Sequence, residues 1–348
     1  NIMEDINSEL NEQKRKVDFN SYDMSVKELI SMVNDGLIDI APEYQRQFRW
    51  DALRQSTLIE SIFLGIPVPS LFMATNPDGT WEVIDGVQRL SSIINFAAEK
   101  DSSARKKIKK EIPLQLCGLK KMKSFNEKDF KCLPRSLQID FLLKPLKITT
   151  LSDKSDKSIR FDLFERLNTG GIKLSDQEIR SCIFRGQFND FIKRLSLNNN
   201  FRRVVKLSKN SENDGTREEL VLRFFATLNN KNNFDHSVVD FLNDYMNDSC
   251  KNFDYETNER IFNKVFTQLS NLTHGMVKSK TSTITSVVLF EAVSVGAAEV
   301  LQEKESINIS SFYDWVTDKD FNKLITGATN SKPKLFARIE FCRSKFSK

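Results

Sequence analysis

Histidine is nearly absent from this chain: two residues in 348, His236 in FDHSVVD and His274 in LTHGMVK. Neither has a second histidine beside it. A histidine-metal nuclease loop needs imidazole to activate water and help hold an ion, and nothing here resembles one. The five cysteines, Cys117, Cys132, Cys182, Cys250 and Cys342, are scattered and form no C-x-x-C pair. That argues against zinc and against a disulfide framework, and fits a cytoplasmic protein. No G-x-x-x-x-G-K-[ST] phosphate loop is present, and no D…E-x-K nuclease constellation stands out. No apolar run reaches the roughly 18 residues of a membrane span. The nearest, 284–301, carries Glu291 and Glu299 and reads as a buried core helix. Neither sign of charge dominates: 52 basic against 47 acidic residues leave +5, which permits nucleic-acid contact without arguing for it. Glycine is sparse at 12 residues while phenylalanine reaches 27, which favours a helix-rich body packed with phenylalanine.

What is present divides the chain in two. Ser25 and Glu28 form a capping box ahead of the apolar face Val26, Leu29, Ile30 and Val33. Asp51 can cap a second helix that ends at Gly65-Ile66-Pro67. SLFMAT and TWEVID are strand-like runs joined by the turn chemistry of Asn76-Pro77-Asp78-Gly79. Leu90, Ile93, Ile94 and Ala97 then make a helical stripe. Residues 100–157 change character, with ARKKIKK and LKKMK and weaker periodicity, and are expected to be a basic helical or looped insertion on the surface. From Ser158 onward helices dominate. Capping boxes are expected at Ser175 with Glu178 and at Thr216 with Glu219. Further helices are expected near 236–247, 256–270, 284–302, 311–326 and 333–345. The expected division is 20–190 and 191–348.

Three clusters carry chemistry. In WEVIDGVQRLSSIINF a strand turns at Asp85-Gly86 directly into a helix. A helix start presents unpaired amide N–H groups and partial positive charge, a ready anion site. Gly86 allows a sharp turn and close approach to the backbone. Arg89 can grip a phosphate bidentately, and Gln88 can donate or accept. Asp85 repels phosphate, so its place there implies holding Mg²⁺, gripping a ribose or base, or orienting Arg89. The bland reading is an ordinary D-G turn. YQRQFRW supplies Gln45, Arg46, Arg49 and Trp50, a mixture suited to phosphates or bases; otherwise it is an exposed basic loop with Trp50 in the core. FERLNTGG places Asn168, Thr169 and Gly170 where a helix ends, which is also what a plain C-cap needs.

In this order the clusters resemble the N-terminal domain of GmrSD-type modification-dependent restriction enzymes, a domain shared with SspE-type defence proteins. The resemblance spans about Ser25 to Gly186. It implies an α+β protein: a small ParB/sulfiredoxin-like mixed α/β nucleotide-binding domain followed by a mostly helical C-terminal domain. It further implies nucleoside triphosphate binding and hydrolysis with Mg²⁺, coupled to restriction of modified or phage DNA. The family signature D-G-Q-Q-R is met here by Asp85, Gly86, Gln88 and Arg89. Val87 stands where the first glutamine is expected, which opens the alternative of binding without turnover. The resemblance makes Asp85, Gln88 and Arg89 the candidate catalytic residues, with Asp85 on the metal. Gln45, Arg46, Arg49, Gly86, Asn168, Thr169 and Gly170 are the further nucleotide contacts. With no nuclease motif in this chain, cutting is expected of a separate subunit. Arg105, Lys106, Lys107, Lys109, Lys110, Arg202 and Arg203 are the candidate DNA contacts; as a third possibility, the corner itself grips a DNA phosphate.

Overall fold

The computed structural model describes residues 2–40, 50–167, 174–278 and 282–348, with backbone only for residues 2–4 and 15. The chain separates into two compact units, Asn1–Lys173 and Leu174–Lys348.

The first unit is built on a five-stranded sheet. Its strands are β1 (Phe19–Ser25), β2 (Ile38–Asp39), β3 (Leu71–Thr75), β4 (Trp81–Asp85) and β5 (Pro145–Leu151), in the order β1-β5-β3-β4-β2. β1/β5 and β3/β4 run antiparallel, while β3/β5 and β2/β4 run parallel. The β3–β4 hairpin closes as its turn residues demand: Asp78 Oδ1 accepts from the Thr80 amide at 3.0 Å, and Gly79 takes φ +85°. Among the described residues, the α-helices of this unit are α1 (Ile2–Arg15), α2 (Val26–Asn34), α3 (Ala52–Phe63), α4 (Val87–Ala97), α5 (Ser103–Lys107), α6 (Arg135–Leu143) and α7 (Lys157–Leu167). The Ser25–Glu28 capping box opens α2, and Asp51 caps α3 through the Arg54 amide at 2.8 Å. α4 is the central helix, with Leu90, Ile93, Ile94 and Phe96 buried and α3 and α5 packed against it. Phenylalanine rings fill the space beside it: Phe141 lies 4.9 Å from Phe63 and 5.2 Å from Phe96, centroid to centroid.

One expectation is overturned here. Residues 100–157 are not a surface connector. They supply β5, which sits inside the sheet between β1 and β3, and they bury Ile108, Leu114, Leu116, Leu119, Phe130 and Phe141. The reason is side-chain geometry. In PLKITTL, Leu146, Ile148 and Thr150 point inward on a two-residue period while Lys147 points to solvent. A lysine-rich stretch can therefore cover a core with its apolar members and keep its charges wet.

The second unit is helical throughout its described residues. It contains α8 (Asp176–Ile183), α9 (Gln187–Ser196), α10 (Asn199–Val204), α11 (Thr216–Asn230), α12 (Val238–Lys251), α13 (Tyr255–Leu269), α14 (Val287–Glu303), α15 (Phe312–Trp315), α16 (Lys319–Ile325) and α17 (Lys332–Phe346). α8 opens with the expected Ser175–Glu178 box. α11 does not: Gly215 is its cap residue, in the left-handed region, and Asp214 Oδ1 takes the Thr216 amide at 3.0 Å. Thr216 is already helical, so Asp214 from the preceding turn does the work expected of it. α14 is the buried core helix, packed by α11, α13 and α17. α17 crosses it so closely at Gly296 that an added Cβ would stand 2.7 Å from Cys342 Cβ. The three acids of α14 are paired: Glu291 with Arg338 and, at 3.9 Å, Arg223; Glu299 with Lys231; and Glu303 with Arg343 at 2.9 Å. Among the described residues no helix is long and apolar enough to cross a membrane.

Candidate functional site

The corner after β4 has the geometry its sequence suggests. Gly86 takes φ +105° and ψ +14°, in the left-handed region that an L side chain avoids. A Cβ there would overlap Leu71 Cδ2, which lies behind the turn. The chain reverses within one residue, and the first α4 bond is already made, Leu90 N to Gly86 O at 2.9 Å. The amides of Val87, Gln88 and Arg89 precede that ladder, so they have no acceptor within the helix. Gly86, the cap residue, has no side chain with which to cap this end.

The flanking charges are turned toward each other. Arg89 Nη2 donates to Asp85 Oδ2 at 3.0 Å, with side-chain exposures of 12% and 28%. Arg89 Nη1 donates to the Ser70 carbonyl at 3.2 Å and to the Pro69 carbonyl, tying α4 to the residues that lead into β3. Burial pushes the Asp85 carboxyl above its ordinary value, opposed by the Arg89 charge and by the Gly86 amide. Burial pushes Arg89 downward, opposed by Asp85. Asp85 is thus paired with Arg89, the geometry that the third role, orienting Arg89, requires. Val87 is buried at 8% exposure and brings no polar group.

The structure fixes one part of the YQRQFRW cluster. The Trp50 amide donates to Gln88 Oε1 at 3.3 Å, and the Trp50 carbonyl accepts from Gln55 Nε2 at 2.8 Å. The Arg54 guanidinium lies over the Trp50 ring, 4.7 Å from its centroid. Gln45, Arg46 and Arg49 fall outside the described residues, as do Asn168, Thr169 and Gly170.

The basic residues expected to contact DNA divide by environment. Arg105 is a correction: it is 1% exposed, and its guanidinium donates to the carbonyls of Asn95 at 2.9 Å and Ala98 at 2.8 Å, where α4 ends. A guanidinium fits there because those last carbonyls have no helical partner and carry partial negative charge. Lys107 is partly buried and donates to the Val33 carbonyl at 2.7 Å. Lys106, Lys109 and Lys110 are exposed. In the second unit Arg202 and Arg203 are exposed, with Arg202 3.8 Å from Glu212. Gln55 and Asn95 escaped sequence reasoning, although each is a long amide on an apolar helix face, at 4% and 5% exposure.

No cluster of three metal-ligating side chains occurs among the described residues. Asp85 alone, already accepting from Arg89, does not make a protein cage for Mg²⁺. An ion bound here would need the oxygens of a polyphosphate to complete its shell.

Residues 26–185 match the family model described as the GmrSD restriction endonuclease, N-terminal domain. The N-terminal part of the chain therefore belongs to the GmrSD N-terminal domain family. That domain suggests a component of a restriction or defence system. No curated protein and no solved structure gives a significant match to the chain.

Proposed function

We propose that this chain is the nucleoside triphosphate-binding and hydrolysing component of a restriction system, acting on modified or phage DNA with a separate nuclease subunit. The observation that carries the reading is the first turn of α4, which follows a left-handed glycine that has no side chain to close it. A phosphate oxygen there meets the positive end of the helix. Gln88 stands on the same turn. Arg89 fixes Asp85 and the start of β3, so it positions the corner, and charge neutralisation falls to the amides with Arg46 and Arg49 of the neighbouring cluster. Mg²⁺ arrives on the nucleotide, with Asp85 as the nearest carboxylate. DNA contact falls to Lys106, Lys109, Lys110 and Arg203, since Arg105 is spent inside the fold.

A second reading is favoured by Val87. Its buried side chain brings no hydrogen-bonding group to nucleotide or water where the family signature has an amide, which suits binding that switches contacts without turnover. Purified protein is incubated with each nucleoside triphosphate, Mg²⁺ and DNA, and both bound nucleotide and released phosphate are measured. Release that rises with DNA supports hydrolysis. Binding without release supports the switch. Neither binding nor release overturns both.

A further inference from the structure

Trp50 and Arg54 form a stacked pair that local helix chemistry does not explain. The Arg54 guanidinium lies over the Trp50 ring, 4.7 Å from its centroid. Arg54 is exposed, and Trp50 is only partly buried. A tryptophan just before a helix cap can act as a hydrophobic staple, packing on an apolar residue four positions after the cap. Asp51 is the cap of α3, so that position falls on Gln55, an amide whose Nε2 donates to the Trp50 carbonyl at 2.8 Å. Arg54 lies in the first turn of α3, where the helix dipole favours an acid and disfavours a cation. That turn holds no acid to balance it. Among the described residues, the Arg54 guanidinium has no hydrogen-bond or ion-pair partner, and no second ring or cation packs on Trp50.

The peptide that carries the ring is tied to α4 at both of its polar atoms. The Trp50 amide donates to Gln88 Oε1 at 3.3 Å, and Gln88 lies in the first turn of α4. Gln55, which holds the Trp50 carbonyl, accepts in turn from Asn95 Nδ2 at 2.9 Å, in the body of α4. The ring is therefore anchored one hydrogen bond away from the turn where phosphate is proposed to bind. We propose that Trp50, backed by Arg54, is a stacking platform for the base of the nucleotide whose phosphates meet the α4 N-terminus. The inference rests on the nucleotide reading and deepens it by assigning the base. A base lies on one face of the indole while the Arg54 guanidinium covers the other and keeps the ring from turning. Every base has a π-face, so the platform grips all four nucleotides with little choice between them.

The test is calorimetric titration of the intact protein with two probes, ATP and inorganic tripolyphosphate, each with Mg²⁺. Tripolyphosphate has the phosphates without the base. Trp50→Leu removes the aromatic face but keeps the backbone bonds to Gln55 and Gln88, since both are made by the peptide. It is expected to weaken ATP about tenfold and to leave tripolyphosphate at wild-type affinity, which also shows that the corner is still folded. Trp50→Phe keeps a smaller ring and is expected to lose less. Arg54→Met removes the cation and keeps the stem, and is expected to weaken ATP about threefold. Wild-type ATP affinity in either Trp50→Leu or Arg54→Met overturns the platform and leaves the phosphate corner standing. Equal weakening of both probes by Trp50→Leu also overturns it, because the phosphates and not the base then feel the change. Wild-type protein that binds neither probe overturns the nucleotide reading itself, and the platform with it.

Discussion

Gly86→Ala places the stereochemistry of the corner under direct test. Two terms add. At φ +105° an L residue sits in left-handed backbone, which costs about 1–2 kcal/mol. The new methyl also overlaps Leu71 Cδ2. Leu71 is 2% exposed and held in β3, so it cannot swing into solvent. Its terminal methyl can still turn aside, which keeps the overlap near the low end of the usual overpacking range, about 1–2 kcal/mol. The sum is a loss of about 2–4 kcal/mol in the first unit. Gly79→Ala is the matched control. Gly79 has φ +85° but nothing within 4 Å of an added Cβ, so only the backbone term applies and the loss is about 1 kcal/mol. Urea unfolding followed by tryptophan fluorescence measures both. Equal losses in the two variants, or a loss below about 0.5 kcal/mol at Gly86, would refute the close approach of Leu71 and the left-handed turn together.

Arg89→Ala is expected to destabilise the protein in a pH-dependent way. Burial raises the folded-state pKa of Asp85, and Arg89 opposes that rise. A carboxyl with a raised folded value favours the folded state at pH below its unfolded value, and that benefit is lost as pH rises through the folded value. Without Arg89 the folded value climbs further. The loss on substitution should therefore be small in acid and reach about 1–3 kcal/mol at neutral pH; Asp85→Asn should abolish this dependence, as unfolding curves at several pH values would show. Arg105→Met should cost about 3–5 kcal/mol, because the carbonyls at the end of α4 lose a buried charged donor. It should leave the salt dependence of DNA binding unchanged, whereas joint Lys106→Glu, Lys109→Glu and Lys110→Glu should flatten it, in filter-binding or anisotropy assays.

The parts of the fold that were legible in the sequence are those decided by neighbours along the chain. Ser25 and Glu28 cap α2 because the bonds span three residues. Asn76 to Gly79 turn the hairpin for the same reason. Asp85-Gly86 marks the strand-to-helix corner because few residues other than glycine accept its backbone angles. β5 was hidden because its partners, β1 and β3, lie far away in sequence, while its lysines dominate local composition. Arg105 looked like surface charge because its acceptors are backbone carbonyls of α4, which no side-chain pattern announces. The pairing of Arg89 with Asp85 was one of three stated possibilities. Only the carbonyls of Pro69 and Ser70, brought in by tertiary structure, show which one the corner adopts.

Equilibrium titration of labelled ATP, GTP, CTP and UTP into the intact protein, wild type beside Gln88→Glu, bears most directly on the proposed nucleotide site at the α4 N-terminus. Gln88→Glu keeps an oxygen for the Trp50 amide and places a carboxylate on the first turn of α4. Saturable binding of at least one nucleotide by the wild type, weakened roughly tenfold or more in the variant, is the expected result. Absence of saturable binding of all four, or wild-type affinity in the folded variant, would contradict it.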